Sequence, residues 1–145
     1  MVEPYLVDGS SMNPTLQNSE RLLVNKAAYL FSEPTKDDIV IFKFPFDQSR
    51  DFIKRVIAVP GDTIEIKSGN VYLNGQLLKE KKKKKKTKGD YKKVIVPQKH
   101  VFVMGDNRNN SEDSRFSRVG FVPYELIKGK GMLVFWPFEV FRKLP

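Results

Sequence analysis

The sequence predicts an all-β protein, mainly antiparallel, built as two packed sheets or a partly closed barrel with at most one or two short helices. Three observations carry that prediction. Short runs rich in β-branched and aromatic residues recur along the 145 residues, turn signals separate them, and only one stretch reads well as a helix. The segments "RLLVNK" (21–26), "DIVIFKF" (38–44), "FIKRVIAV" (52–59), "TIEIK" (63–67) and "VYLNG" (71–75) each read as a strand or its end. So do "VIV" (94–96), "HVFVM" (100–104), "GMLVFW" (131–136) and the residues directly after Met1. "TIEIKSGNVYLNG" reads as a β-hairpin turning on Ser68-Gly69-Asn70. The helix candidate is "PYELIK" (123–128), with proline at its first position and Gly129 after it. A weaker helical turn reads around "KAAYLF" (26–31).

Composition bounds the function. A chain of this length with 40% hydrophobic residues can bury one core, so residues 1–145 are expected to form a single β domain. The absence of cysteine removes disulfides and thiolate metal sites. No apolar run approaches the roughly 20 residues that span a bilayer, and no signal-peptide pattern opens the chain. The net charge of +9 is local: seven lysines fall at 81–86 and 88, and the remainder carries only +2. Such a run repels itself, so residues 79–91 are expected to form an exposed lysine-rich loop separating two strand-rich halves. Anionic lipid is a better partner for it than nucleic acid, which is not expected.

Chemistry has few candidates. "VDGSSMNPTL" (7–16) sets two serines, Ser10 and Ser11, on a turn after Gly9. The usual base for a nucleophilic serine is histidine, and the one histidine, His100, opens an apolar strand where it reads as a strand-end cap. One histidine, no cysteine and scattered carboxylates leave no metal site, and no cofactor is expected. Lysine remains. On a strand, Lys54 falls between Phe52 and Val56 on an apolar face, where burial penalises the ammonium and lowers its pKa; Arg55 points the other way and stays a cation. The local pattern leaves two readings open, a buried neutral base or an amine that reaches solvent or an acid. The segment "MGDNRNNSEDSRF" (104–116) reads as a polar turn held by side-chain hydrogen bonds and ion pairs.

Three motifs in order, "SMNPT", "FIKRVIAVPGD" and "GDNRNNSEDSR", closely resemble those of bacterial type I signal peptidases. The likeness runs from "VDGSSMNPTL" through "DDIVIF" and "VYLNG" to "VFWPF" and is nearest to the Gram-positive branch, whose segment before "MGDNR" is short. It implies a serine protease with Ser11 as nucleophile and Lys54 as general base, cutting exported preproteins after a small residue in an Ala-X-Ala pattern. It gives Ser111 the task of holding the lysine, with Ser10 and Gly9 as further support beside the nucleophile. The Ser11 N–H is one oxyanion donor; where some relatives carry an assisting serine this chain has Gly9, which leaves the second donor open. Arg55, Asp106, Asp113 and Arg115 match structural positions, the first two as an ion pair. Val7, Asp8, Met12, Leu16, Ile41, Phe52 and Ile53 match substrate-binding positions, although Leu16 and Ile41 read equally as core. An extended substrate would pair with the strands before Ser11 and before Lys54.

The resemblance also implies N-terminal membrane anchors that this sequence lacks, and hence a catalytic domain on the extracytoplasmic side of the cell membrane. "VFWPFEVF", with Trp136, Phe138 and Phe141, is the expected contact with the lipid surface. The lysine tract departs from the family's pattern. Two rivals stand beside this reading. A self-cleaving repressor peptidase shares Ser–Lys chemistry but needs an upstream DNA-binding region and an internal Ala-Gly site, neither of which is visible. A basic module binding anionic surfaces through residues 81–88 would depend on the tract and not on Ser11.

Overall fold

A computed structural model describes residues 1–80 and 87–145; residues 81–86, the centre of the expected lysine loop, lie outside the described residues. The strands are β1 (Val2–Leu6), β2 (Arg21–Asn25), β3 (Ile39–Lys43), β4 (Asp51–Ala58), β5 (Thr63–Lys67) and β6 (Asn70–Leu73). They continue as β7 (Gln76–Leu77), β8 (Tyr91–Ile95), β9 (His100–Met104), β10 (Val122–Pro123), β11 (Ile127–Trp136) and β12 (Arg142–Lys143). One antiparallel sheet runs β1-β2-β11-β3-β4-β9-β10, with β12 against β11, and a smaller one runs β7-β6-β5-β8. Neither sheet closes into a barrel.

The apolar pattern of each strand follows from what covers it. In β3, Ile39 and Ile41 pack with Leu22, Val24 and Val134 on one face, while Val40 and Phe42 pack with Val56, Val101 and Val103 on the other. A strand covered on both faces reads as an unbroken apolar run, as "IVIF" does. β5 is covered on one face only: Ile64 and Ile66 are buried and Lys67 is exposed. Ile57 and Ala58 of β4 and Phe102 and Met104 of β9 meet Ile64, Ile66 and Val71 in a third cluster, which joins the two sheets. That junction fixes β4 and β9 at the centre of the fold.

Two expectations change in detail. The hairpin turns on Ser68 and Gly69, both at positive φ (51° and 81°), while Asn70 already pairs with Lys67 in the ladder. Two positive φ values match the twist of the flanking strands. "PYELIK" yields only a 3₁₀ turn at Tyr124–Leu126, because Ile127 pairs with Phe42 as the first residue of β11. Residues 26–31 form a turn, and a second 3₁₀ turn spans Phe138–Val140. Among the described residues no helix is long and apolar enough to cross a membrane.

Candidate active site

The segment between β1 and β2 carries Ser11. Val7, Met12 and Leu16 are buried in the cluster under β3, so three apolar side chains hold the segment on the sheet. Its backbone is pinned as well: the Val7 N–H donates to the Glu20 carbonyl at 2.8 Å and the Gly9 N–H to Asn18 Oδ1 at 2.8 Å. Gly9 sits at φ +96°, a conformation that a side chain would strain. Ser11 is thereby presented at the mouth of a groove of about 430 Å³ between residues 5–9 and residues 50–54.

Lys54 rises from β4 opposite Val40, in the ladder between β3 and β4. It is 5% exposed, and its Nζ donates to Ser11 Oγ at 2.7 Å. No other hydrogen-bond partner reaches it among the described residues. The ring of Phe52 lies 5.2 Å from Nζ. Burial pushes the amine down to about 8, against the pull of the Asp113 and Glu112 carboxylates; the Arg115 guanidinium adds to the fall. Of the two readings left open by the strand pattern, the buried amine is the one the fold adopts.

The polar loop after β9 closes the site from below. Arg55 and Asp106 form a bidentate pair with both bonds at 2.9 Å, and Asp106 also accepts from Thr15 Oγ1. Asp113, with no exposure at all, accepts from the Gly105 N–H at 2.9 Å, from Ser111 Oγ at 2.8 Å and from Arg115 through two bonds at 2.8 Å. Ser111 was expected to hold Lys54. Its hydroxyl instead donates to Asp113, a charged acceptor that makes the stronger hydrogen bond. Ser10 Oγ accepts from Asn110 Nδ2 at 2.6 Å.

Of the expected substrate-binding positions, Val7, Asp8, Met12, Phe52 and Ile53 line the groove. Leu16 and Ile41 do not; they are fully buried in the cluster beneath it, where core packing claims them. His100 sits at the far end of β9 with Nδ1 2.7 Å from the Gln98 carbonyl oxygen, outside the groove. Several contributors escaped the sequence reading. Asn107 donates through its backbone to the Ser11 carbonyl at 2.9 Å and through Nδ2 to the Ser10 carbonyl at 3.0 Å. Arg108, almost fully buried, donates to the Gly105 carbonyl at 2.8 Å and pairs with Glu80, just before the lysine tract. Glu112 lines the groove rim and pairs with Arg118 at 3.2 Å. The density of asparagine and arginine in "GDNRNN" was the available signal, but the partners that matter lie far off in the chain, Glu80 28 residues from Arg108 and Ser10 97 from Asn107 and 100 from Asn110.

An amine that is partly neutral near neutral pH, in hydrogen-bond contact with a serine hydroxyl in an open groove, has the parts of a serine hydrolase that draws its base from lysine. The chain matches the family described as "Signal peptidase, peptidase S26" over residues 1–136, and it belongs to that family. It is 43% identical to signal peptidase I of Bacillus amyloliquefaciens, covering 99% of this chain and 78% of that protein. With signal peptidase I T of Bacillus subtilis it shares 41% identity over the same proportions, 99% and 78%. A solved signal peptidase I from Enterococcus faecalis superposes with a TM-score of 0.59 at 30% identity, covering 68% of this chain and 97% of that one. The protein is therefore a serine protease, a peptide-bond hydrolase of a family that cleaves signal peptides from preproteins.

Proposed function

We propose that this protein removes signal peptides from exported preproteins through a Ser11–Lys54 dyad, cutting after a small residue in an Ala-X-Ala pattern. The observation that carries the proposal is the 2.7 Å contact between Lys54 Nζ and Ser11 Oγ inside the groove. Neutral Lys54 takes the hydroxyl proton as Ser11 Oγ bonds to the scissile carbonyl carbon and the π electrons move onto oxygen. Collapse of that intermediate breaks the C–N bond, and the Lys54 ammonium protonates the leaving amine. Water then adds to the acyl-enzyme, losing its proton to Lys54, and Ser11 Oγ leaves carrying that proton.

The groove walls support an extended substrate. Among the described residues β1 pairs only with β2, and β9 pairs with β4 only from Arg55 onward, which leaves one edge of each wall for a strand. Val7 and Met12 floor the groove with little exposure, a depth suited to small side chains. Leu6 and Trp136 both stand in register with Arg21, and with exposed Phe138 and Phe141 they offer an apolar face for the lipid surface on the extracytoplasmic side of the cell membrane.

The test is incubation with a synthetic signal peptide and mass-spectrometric reading of the new N terminus. Cleavage after the small residue is expected from the unaltered protein, and none from Ser11→Ala or Lys54→Ala. Turnover retained by either folded variant refutes the dyad.

A further inference from the structure

We propose that Asn107 is the residue that aims the oxyanion donor: it holds the Ser10–Ser11 peptide so that the Ser11 N–H faces the groove. The inference rests on Ser11 being the nucleophile. Its starting point is the pair of hydrogen bonds on the Ser10 carbonyl, from Asn107 Nδ2 at 3.0 Å and from the Asn13 N–H at 3.1 Å. The Ser10–Ser11 peptide is trans, so its C=O and N–H point in opposite directions. Tying the carbonyl to the loop of residues 105–110 therefore turns the N–H away from that loop. Asn107 does not line the groove, whereas Gly9, Ser11 and Met12 do, so the side away from Asn107 is the substrate's side.

The amide left there is ready for use. Among the described residues the Ser11 N–H donates to nothing, while the Ser11 carbonyl is occupied by the Asn107 N–H at 2.9 Å. One residue thus fixes both peptide planes flanking the nucleophile, with its side chain on one and its backbone on the other. Two donors on the Ser10 carbonyl also polarise that peptide and strengthen its N–H as a donor. Gly105 permits the arrangement: a Cβ there would stand 2.5 Å from the Ser11 carbonyl oxygen. An asparagine is required at 107 because an aspartate would set a carboxylate oxygen against a carbonyl oxygen.

The experiment compares a peptide aldehyde ending in alaninal with the matching alcohol. With the aldehyde, Ser11 Oγ bonds to the carbonyl carbon, the π pair moves to oxygen and the hydroxyl proton passes to Lys54, so the new alkoxide sits where the oxyanion does. The alcohol cannot form this adduct. The full chain is expected to bind the aldehyde more tightly than the alcohol, and the Ser11 amide proton to move downfield with the aldehyde alone. In Asn107→Ala and Asn107→Asp the aldehyde should lose roughly tenfold to a hundredfold in affinity, the alcohol less than about twofold, and kcat should fall with KM little changed. Equal losses for both ligands, or an undiminished preference for the aldehyde, overturn the role of Asn107. If a variant does not fold, the amide shift in the unaltered protein decides whether that N–H is the donor at all; an unmoved amide overturns the inference. A chain with no preference for the aldehyde refutes the nucleophile itself, a distinct failure.

Discussion

Replacing Glu112 by glutamine should make the enzyme faster at neutral pH. The carboxylate at the groove rim favours the Lys54 ammonium, which cannot serve as the base of the proposed dyad, and its loss should let the proton leave at lower pH. With the amine at about 8 instead of 10.5, its surroundings, burial foremost, supply a net bias of roughly 3 kcal/mol toward the neutral form. At pH 7 about a tenth of the molecules then hold a free base, against about three in ten thousand for an ordinary lysine. Glu112 is partly exposed, so its coupling to Lys54 is of the order of 0.2–1 kcal/mol, or roughly 0.15–0.7 of a pH unit. The neutral fraction at pH 7 should rise about 1.4- to 4-fold, with no gain on the alkaline plateau. The assay is kcat/KM for a fluorogenic signal peptide from about pH 6 to about pH 10, since that ratio reports the free enzyme. A limb that stays in place or moves to higher pH refutes the electrostatic account of the base.

Four further outcomes follow from the same geometry. Lys54→Met should abolish cleavage yet stabilise the fold at pH 7 by about 1–3 kcal/mol in urea, because it removes a buried amine that must be charged or deprotonated there. The unfolded lysine binds its proton up to 10.5 and the folded one only to about 8, so this residue's contribution is full above the higher value and lost as pH falls through the lower. Asp106→Ala leaves the buried Arg55 guanidinium without its carboxylate and should cost about 3–5 kcal/mol by chemical denaturation. Gly105→Ala forces a methyl against the Ser11 carbonyl and Ser111, and should lower both kcat and the melting temperature, the latter measured by calorimetry. Arg115→Gln removes a cation near Lys54 and loosens Asp113, and the rising limb of activity should move to higher pH, opposite in sign to Glu112→Gln.

The long strands were legible because burial on both faces writes itself as an unbroken run, as in β3 and β9, and burial on one face as alternation, as in β5. Two-residue strands such as β7, β10 and β12 carry no pattern to read. "PYELIK" misled because its proline and glycine signal a helix locally, while the ladder partner that claims Ile127, Phe42, lies in a distant strand. The serine and the lysine could be picked out by their neighbours in sequence. Whether Lys54 stays buried could not, since its cover comes from Val40 across the ladder and from the turn around Ser11, 43 residues earlier. Asn107 lay hidden for the same reason: an asparagine in a polar loop declares nothing until the carbonyls it binds are known.

The arrangement of charge under the groove explains why one lysine among so many loses its proton. A buried ammonium with a carboxylate in contact would keep its charge. Two buried carboxylates lie in the neighbouring loop, and both are committed elsewhere: Asp106 to Arg55 and Thr15, Asp113 to Arg115, Ser111 and the Gly105 N–H. The bidentate arginine pairs hold these acids in place, so neither is within hydrogen-bond reach of Lys54, and among the described residues its one hydrogen-bond partner is the Ser11 hydroxyl, which it activates in the proposed mechanism. In the proposed mechanism the ion pairs therefore bear on catalysis without touching substrate, by denying the amine a counter-ion. Loosening the Asp113–Arg115 pair should shift the titration of Lys54, so the Arg115 variant is read by the position of its pH limb and not by rate alone.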